Sequence, residues 1–407
     1  MSNLTPASGI IPYDVNNELW SAGTDKMRWV AIPNDGNVNS NAERINYDAD
    51  GPWGFPVGTV FIKHFQQPDG RKLETRVWMH GVDGNWFGTT YRWNNAGTDA
   101  DLLLEGAEDR ITIDGETFDY LYPSVTQCNT CHLPSAGDVL GFRTHQLNKD
   151  ILYPTTGIVG NQLETFAQLG FIPTVNTNTV ITSYALNDNT ASLESRARSY
   201  LDSNCSHCHN PSSNRAMFDA RYTTNLNNQN LFTNNVIEDL GVSGAQIIAP
   251  QDLERSLIYL RMNTEEGCCA MPPLARGRID HEGVQAIANW INSIGADCAN
   301  SSSTTIGNQL TSNTNFIDGH NPQILINEED AYTNSTNSAQ EVCLINFDFR
   351  AERLGNPITP FVARVNADND FTVLTVGQSR TSQEYSCLLY TSPSPRDATL
   401  SRMPSSA

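Results

Sequence analysis

The sequence has no run of eighteen apolar residues, which excludes a membrane-spanning helix. Cations are few: 25 lysines and arginines stand against 45 aspartates and glutamates, for a formal net charge of −20. Such a balance argues against a nucleic-acid partner and suits a solvated acidic surface that docks basic proteins. The chain also lacks a phosphate-cradling glycine loop, a nucleophile–base set and a paired-carboxylate motif. Its opening, MSNLTPASGIIPYDV, has no basic segment followed by an apolar stretch, so no secretory signal is visible.

The chain is rich in Asn, Asp, Thr and Ser, which predicts many turns. Its 407 residues suggest two or three domains, and a hydrophobic share of 39% is enough for packed cores. Of nine cysteines, four form two copies of one pattern: Cys128-Asn129-Thr130-Cys131-His132 and Cys205-Ser206-His207-Cys208-His209. Thiols at i and i+3 can add to the two vinyl groups of one haem, and the next histidine then lies under the iron. His132 and His209 are therefore the expected proximal ligands. His207, between its cysteines, reads as a surface residue. A redox dithiol is a rival, but it needs a βαβ setting that is absent. A zinc site is another, and it needs the two pairs, 77 residues apart, to converge.

Val57 to Tyr122 reads as an antiparallel meander. VFIKHF (60–65) is followed by the turn Pro68-Asp69-Gly70, and LETRVWMH (73–80) alternates strictly. Leu73, Thr75, Val77 and Met79 share one face; Glu74, Arg76, Trp78 and His80 share the other. Asp83-Gly84 leads into WFGTTYRW (86–93), and Asp114-Gly115 joins RITI to ETFDYLY as a hairpin. From Ser192 the period becomes helical, with Leu193, Ala197, Tyr200 and Leu201 just before Cys205. Pro250 and Asp252 open a helix over LERSLIYLRM. A last helix begins near Asp280, an N-cap, carries Val284, Ile287, Ala288, Ile291 and Ile294 on one stripe, and stops at Gly295. Beyond it, EVCLINFDF, TPFVARV and DFTVLTV read as strands.

The expected fold class is α+β and multidomain. An antiparallel β-sheet haem-c domain (1–150) ends in the first motif, and a mostly α domain (151–296) holds the second. A linker (297–315) leads to a partial β domain (316–386). Residues 387–407, CLLYTSPSPRDATLSRMPSSA, resemble a translated sequencing adaptor and are set aside.

The order helix, Cys205 motif, helix, AMPPL loop, helix resembles class I cytochrome c. In that family the first and last helices pack together, and a methionine from the loop before the last helix is the sixth iron ligand. The resemblance places Met271, held by Pro272 and Pro273, in that role; Met262 reads as core. A thioether raises the potential relative to His/His ligation. No such loop accompanies Cys128, where His145, His80, His64, Met79 and Met27 are the candidates, His145 reading as exposed. The β-meander with FPVGTVFIKHF loosely resembles small β-sheet c-type cytochromes that oxidise hydroxylamine and keep an open iron position.

A broader resemblance runs from about Pro6 to Ile294. It rests on PASGIIPYDVNNELWSAGTDKMRWVAIP, FPVGTVFIKHF, LETRVWMHGVDGNWFGTTYRWN, YPSVTQCNTCH, ARSYLDSNCSHCH and MPPL. Together these resemble a dihaem c-type cytochrome region found alone or fused behind quinoprotein dehydrogenases of the glucose/sorbosone type. The resemblance implies two covalently attached haem c groups and single-electron transfer from a periplasmic dehydrogenase to a terminal acceptor. It implies an extracytoplasmic location, with the signal peptide lying upstream of this fragment, and a non-catalytic role in which a redox partner does the oxidation. Two alternatives stay open: a haem enzyme whose open first site takes peroxide or a nitrogen oxide, and a zinc-stapled binding module. Cys268, Cys269, Cys298 and Cys343 would sit where disulfides persist, and either of the first two can pair with Cys298.

Overall fold

The computed structural model describes residues 4–34, 40, 43–213, 217–233, 235–267, 269–274, 276–295 and four strands between 347 and 387. The chain is α+β. Six antiparallel strands form one sheet in simple sequence order: β1 (Ile10–Tyr13), β2 (Asp25–Ala31), β3 (Val60–Gln66), β4 (Lys72–His80), β5 (Trp86–Trp93) and β6 (Ala100–Leu103). β7 (Ala107–Ile113) and β8 (Glu116–Tyr122) pair as a separate hairpin through the expected Asp114-Gly115 turn, where both residues have positive φ. The expected meander is thus extended at its start by β1 and β2 and loses β7 and β8 to their own ribbon.

Register fixes which side chains share a face. One row runs Val30, Phe61, Trp78, Gly88 across β2 to β5, and the next runs Arg28, Lys63, Arg76, Thr90. The first row opens the main core. Tyr13, Phe55, Phe61, Trp53 and Phe166 all meet the Phe142 ring edge-on, at centroid distances from 4.8 to 5.5 Å. The face of β4 that looks polar in sequence is therefore inside: Trp78 is buried, and Glu74 is fully buried. Glu74 is tolerated there because Arg76 pairs with it and the Tyr120 hydroxyl donates to it at 2.7 Å.

Among the described residues six α-helices follow the sheet: α1 (Val125–Cys131), α2 (Thr144–Leu147), α3 (Gln162–Gln168), α4 (Leu193–Cys205), α5 (Leu257–Met262) and α6 (His281–Ser293). A short hairpin, β9 (Asp150–Tyr153) with β10 (Ile158–Asn161), lies between α2 and α3. α6 starts as expected, with the Asp280 carboxylate accepting from the Gly283 amide at 2.9 Å, and Gly295 lies just beyond it at positive φ. α5 starts later than expected. Ser256 is held in a parallel bridge to Gln246, and its hydroxyl is committed to Ala249 and Asp252, so helical turns begin only at Leu257.

Residues up to Asn292 form one compact unit, so no unit boundary falls at residue 150. Polar contacts run across that position: Gln146 donates to Ser203 at 2.8 Å, and Arg278 pairs with Asp114 and Glu116 of the β7–β8 ribbon. The second unit, from Ser293, contains β11 (Phe347–Arg350) paired with β14 (Glu384–Cys387) and β12 (Phe361–Val365) paired with β13 (Phe371–Val376), near the three strands expected there. The linker 297–315, Cys268, Cys298, Cys343 and residues 388–407 lie outside the described residues. Among the described residues no helix is long and apolar enough to cross a membrane.

Candidate functional site

The first motif sits on α1, directly after β8. Ser124 caps this helix by accepting from the Gln127 amide, and the Gln127 side chain accepts from the Ser124 amide in return. This capping box, Ser-x-x-Gln, is readable in the sequence and places both thiols on one helical turn. His132 is the C-cap residue, with its backbone N–H bonded to Cys128. Its Nδ1 donates to the Asp138 carbonyl at 2.7 Å. That bond sets the tautomer and leaves Nε2 as the nitrogen with a lone pair. The half-buried imidazole is pushed down to about 4, first by burial and also by the nearby Lys63 and Arg76, so it stays neutral and able to donate to a metal.

The sheet supports this helix from below. The Trp78 ring lies 4.2 Å from the His132 ring, while its indole N–H is buried without a hydrogen-bond partner. Gly88, opposite Trp78 in the register, leaves room for the thiol: a Cβ there would stand 2.8 Å from Trp78 and 3.3 Å from the Cys128 sulfur. Neither Trp78 nor Gly88 stands out in the sequence as a site residue, because the motif and the sheet are joined only in the fold.

The second motif closes α4. The His209 amide donates to the Cys205 carbonyl at 2.8 Å, and the His209 ring stacks on Phe218 at 4.4 Å. That contact covers the ring face rather than its edge. Burial, with Cys208 and Asp202 nearby, pushes the Cys205 thiol up to about 12, and burial also raises Cys128. Reactive dithiols and zinc ligands need the opposite shift toward thiolate. Among the described residues no three His, Cys, Asp or Glu side chains gather as a metal-binding group. A haem iron asks for none, since the porphyrin supplies four ligands and the chain only the axial ones.

His207 is not on the surface, as the spacing had suggested. It is buried, and its imidazole is pushed down to about 4 by burial and by His209. The reason is tertiary. α4 packs against the segment after the first motif, where the Asp202 carboxylate lies 3.6 Å from His145 and Gln146 reaches Ser203. His207 also lies within electrostatic reach of His132, so the two motifs are neighbours in one unit. His145 is likewise buried rather than exposed, with Nδ1 unpartnered.

The register sorts the remaining candidates for a sixth ligand at the first motif. Met27, His64 and Met79 stand on the sheet face opposite to Trp78 and Gly88. His64 bonds Thr75 there at 2.9 Å. His80 shares the Trp78 face, but its Nδ1 bonds the Phe55 carbonyl at 2.9 Å and its ring stacks on Trp86.

Met271 is half-buried in a loop tied to the end of α5. Its amide donates to the Arg261 carbonyl at 2.8 Å, and Arg276 donates to the carbonyls of Met271 and Met262 at 3.1 and 3.0 Å. Met262 itself is buried core. Tyr200 of α4 lies within electrostatic reach of both Cys205 and Arg276, and its hydroxyl donates to Asp280 at 2.8 Å. No family model, curated protein or solved structure matches this chain.

Proposed function

We propose that the chain is a dihaem c-type cytochrome that passes single electrons between an extracytoplasmic dehydrogenase and a further acceptor. The observation that carries this reading is the bond from His132 Nδ1 to the Asp138 carbonyl, at the end of the helical turn bearing Cys128 and Cys131. It fits a neutral, oriented imidazole whose Nε2 keeps the lone pair that a metal would take. Elevated thiol pKa values at Cys128 and Cys205 speak for covalent attachment over thiolate chemistry. An unpartnered indole N–H at Trp78 is open to a polar group of the cofactor, and Gly88 lets the Cys128 sulfur sit close to the sheet.

Haem, when bound, supplies the one-electron couple. The chain's own residues do the rest. Cys128, Cys131, Cys205 and Cys208 tether, while His132 and His209 ligate. Met271, held by Arg276 and by its bond to Arg261, is the proposed thioether ligand of the second site. The close contact of Tyr200 with α6 agrees with the first-to-last helix packing that the class I resemblance implies. The acidic balance of the chain suits basic redox partners.

The test is expression of residues 1–296 behind a signal peptide, with haem-c maturation machinery. Two covalently bound haems by intact mass, with two waves in a redox titration, are expected. A chain with no covalent haem overturns the reading.

A second reading applies to the first site alone: an open iron position that takes a small molecule such as peroxide or a nitrogen oxide. The observation in its favour is that the register turns Met27, His64 and Met79 away from Trp78. A high-spin signal at one haem per molecule supports it, and two low-spin signals unmoved by added ligand reject it.

A further inference from the structure

Arg28, Lys63 and Arg76 stand directly opposite one another on three neighbouring strands. Like charges in that position repel, and a fold with such a row needs something to balance it. The two outer members have their partners. Arg28 meets Asp14 and Glu18, both at 3.0 Å, and Arg76 is held by Glu74 through two hydrogen bonds. Lys63, in the middle, has none. Its ammonium lies 5.1 Å from the Phe65 ring, and no carboxylate, hydroxyl or carbonyl bonds it among the described residues. The chain has only four lysines against 45 carboxylates. Lys26 and Lys149 each pair with one of those carboxylates, and Lys72 reaches the Gly97 carbonyl. All four are half-buried, and Lys63 alone has no hydrogen bond or ion pair among the described residues; the carboxylate within its electrostatic reach, Glu18, is already bonded to Lys26 and Arg28, which leaves the Lys63 ammonium available.

The position says for what. Lys63 is flanked on its own strand by Phe61 and across β4 by Arg76, one row along from Trp78 on the same sheet face. Trp78 touches His132, and its indole N–H is buried with nothing to accept it. An unpaired ammonium and an unpaired N–H, in adjacent rows of one sheet face beside the first motif, call for an anionic oxygen acceptor.

We propose that this row is the carboxylate-binding edge of the first haem site, with Lys63 pairing one haem carboxylate and the Trp78 N–H available to the same group. The inference rests on the dihaem reading above and adds which residues orient the first haem.

The test uses the haem-loaded protein and follows the potential of each haem, the second wave being identified by its shift in Met271→Ala. Losing the ammonium leaves the haem carboxylate uncompensated, which favours the oxidised iron. Lys63→Met should therefore lower the first potential only, by the same amount with or without added acetate, and Lys63→Arg should restore most of it. If Lys63→Met does not fold, Lys63→Gln carries the same test. A first potential unmoved in a fully loaded variant overturns the inference while leaving the dihaem reading intact. So does a shift that appears only with added acetate, since the row would then serve a free anion. Absence of covalent haem at Cys128 and Cys131 is the distinct outcome that removes the reading beneath it.

Discussion

At the scale of single residues, substitution can tell the proposed thioether ligand from a core methionine. Met262 is buried core, whereas Met271 sits half-buried in a loop clamped by arginines. Met271→Ala is expected to remove the near-infrared band of thioether ligation from the loaded protein at little cost in stability. Met262→Ala should cost about 2–5 kcal/mol in chemical denaturation and leave the band in place. A band that survives Met271→Ala rejects the assignment.

Glu18 makes a second residue-scale case. Burial alone would raise its carboxyl, but Arg28 and Lys26 overcome that and hold it at about 2, against an ordinary value of 4.5. A folded pKa below the unfolded one contributes stability that is fully present above pH 4.5 and is lost as the pH falls toward about 2. Glu18→Gln should therefore be less stable than the parent at neutral pH, with the difference shrinking between those limits. Denaturation curves at a series of pH values measure it, and a difference that stays constant into acid would show that charge is not its source. The side chain is 42% exposed, so the effect is modest.

Among elements, the contact between α4 and α6 turns on one position without a side chain. A Cβ on Gly283 would stand 2.4 Å from the Tyr200 ring and 2.6 Å from the Asp280 carboxylate. Gly283→Ala is expected to destabilise the fold by about 1–3 kcal/mol, because neither neighbour has room to retreat. Thermal unfolding tests this, and an unchanged midpoint would mean that the helices can slide apart freely. The strands and helices themselves were largely legible. Strict alternation in LETRVWMH and the turn signals Pro68-Asp69-Gly70 and Asp114-Gly115 predict β4 and the β7–β8 ribbon, and both form. α5 was less so. The carboxylate of Asp252 bonds the Arg255 amide in a local turn, and a parallel bridge holds Ser256 extended, so the apparent start of the helix is not its real one.

At the scale of the whole molecule, a net charge of −20 governs encounters more than fold. Reduction of a cationic protein acceptor by the loaded chain should slow several-fold as ionic strength rises, as screening shortens the reach of the acidic surface. Stopped-flow rates at two salt concentrations check this; a flat dependence would place docking on apolar contacts instead. The expected division at residue 150 also belongs here. Composition and periodicity change near it, yet Gln146, Arg278 and His145 tie the two sides into one unit.

The sequence by itself determined the local chemistry: thiols three residues apart followed by histidine, twice, and a methionine stiffened by two prolines before the last helix. Those patterns are written in spacings of a few residues, and a helical turn or a short loop realises them without help. Only the tertiary structure decided the surroundings. It buried His207 and His145, turned Met27, His64 and Met79 to the far side of the sheet, and set Trp78 and Gly88 beneath the first motif. It also lined Arg28, Lys63 and Arg76 in one row. These facts depend on which strand lies beside which and in what register. Contacts between residues tens of positions apart set that register, and no local pattern encodes them.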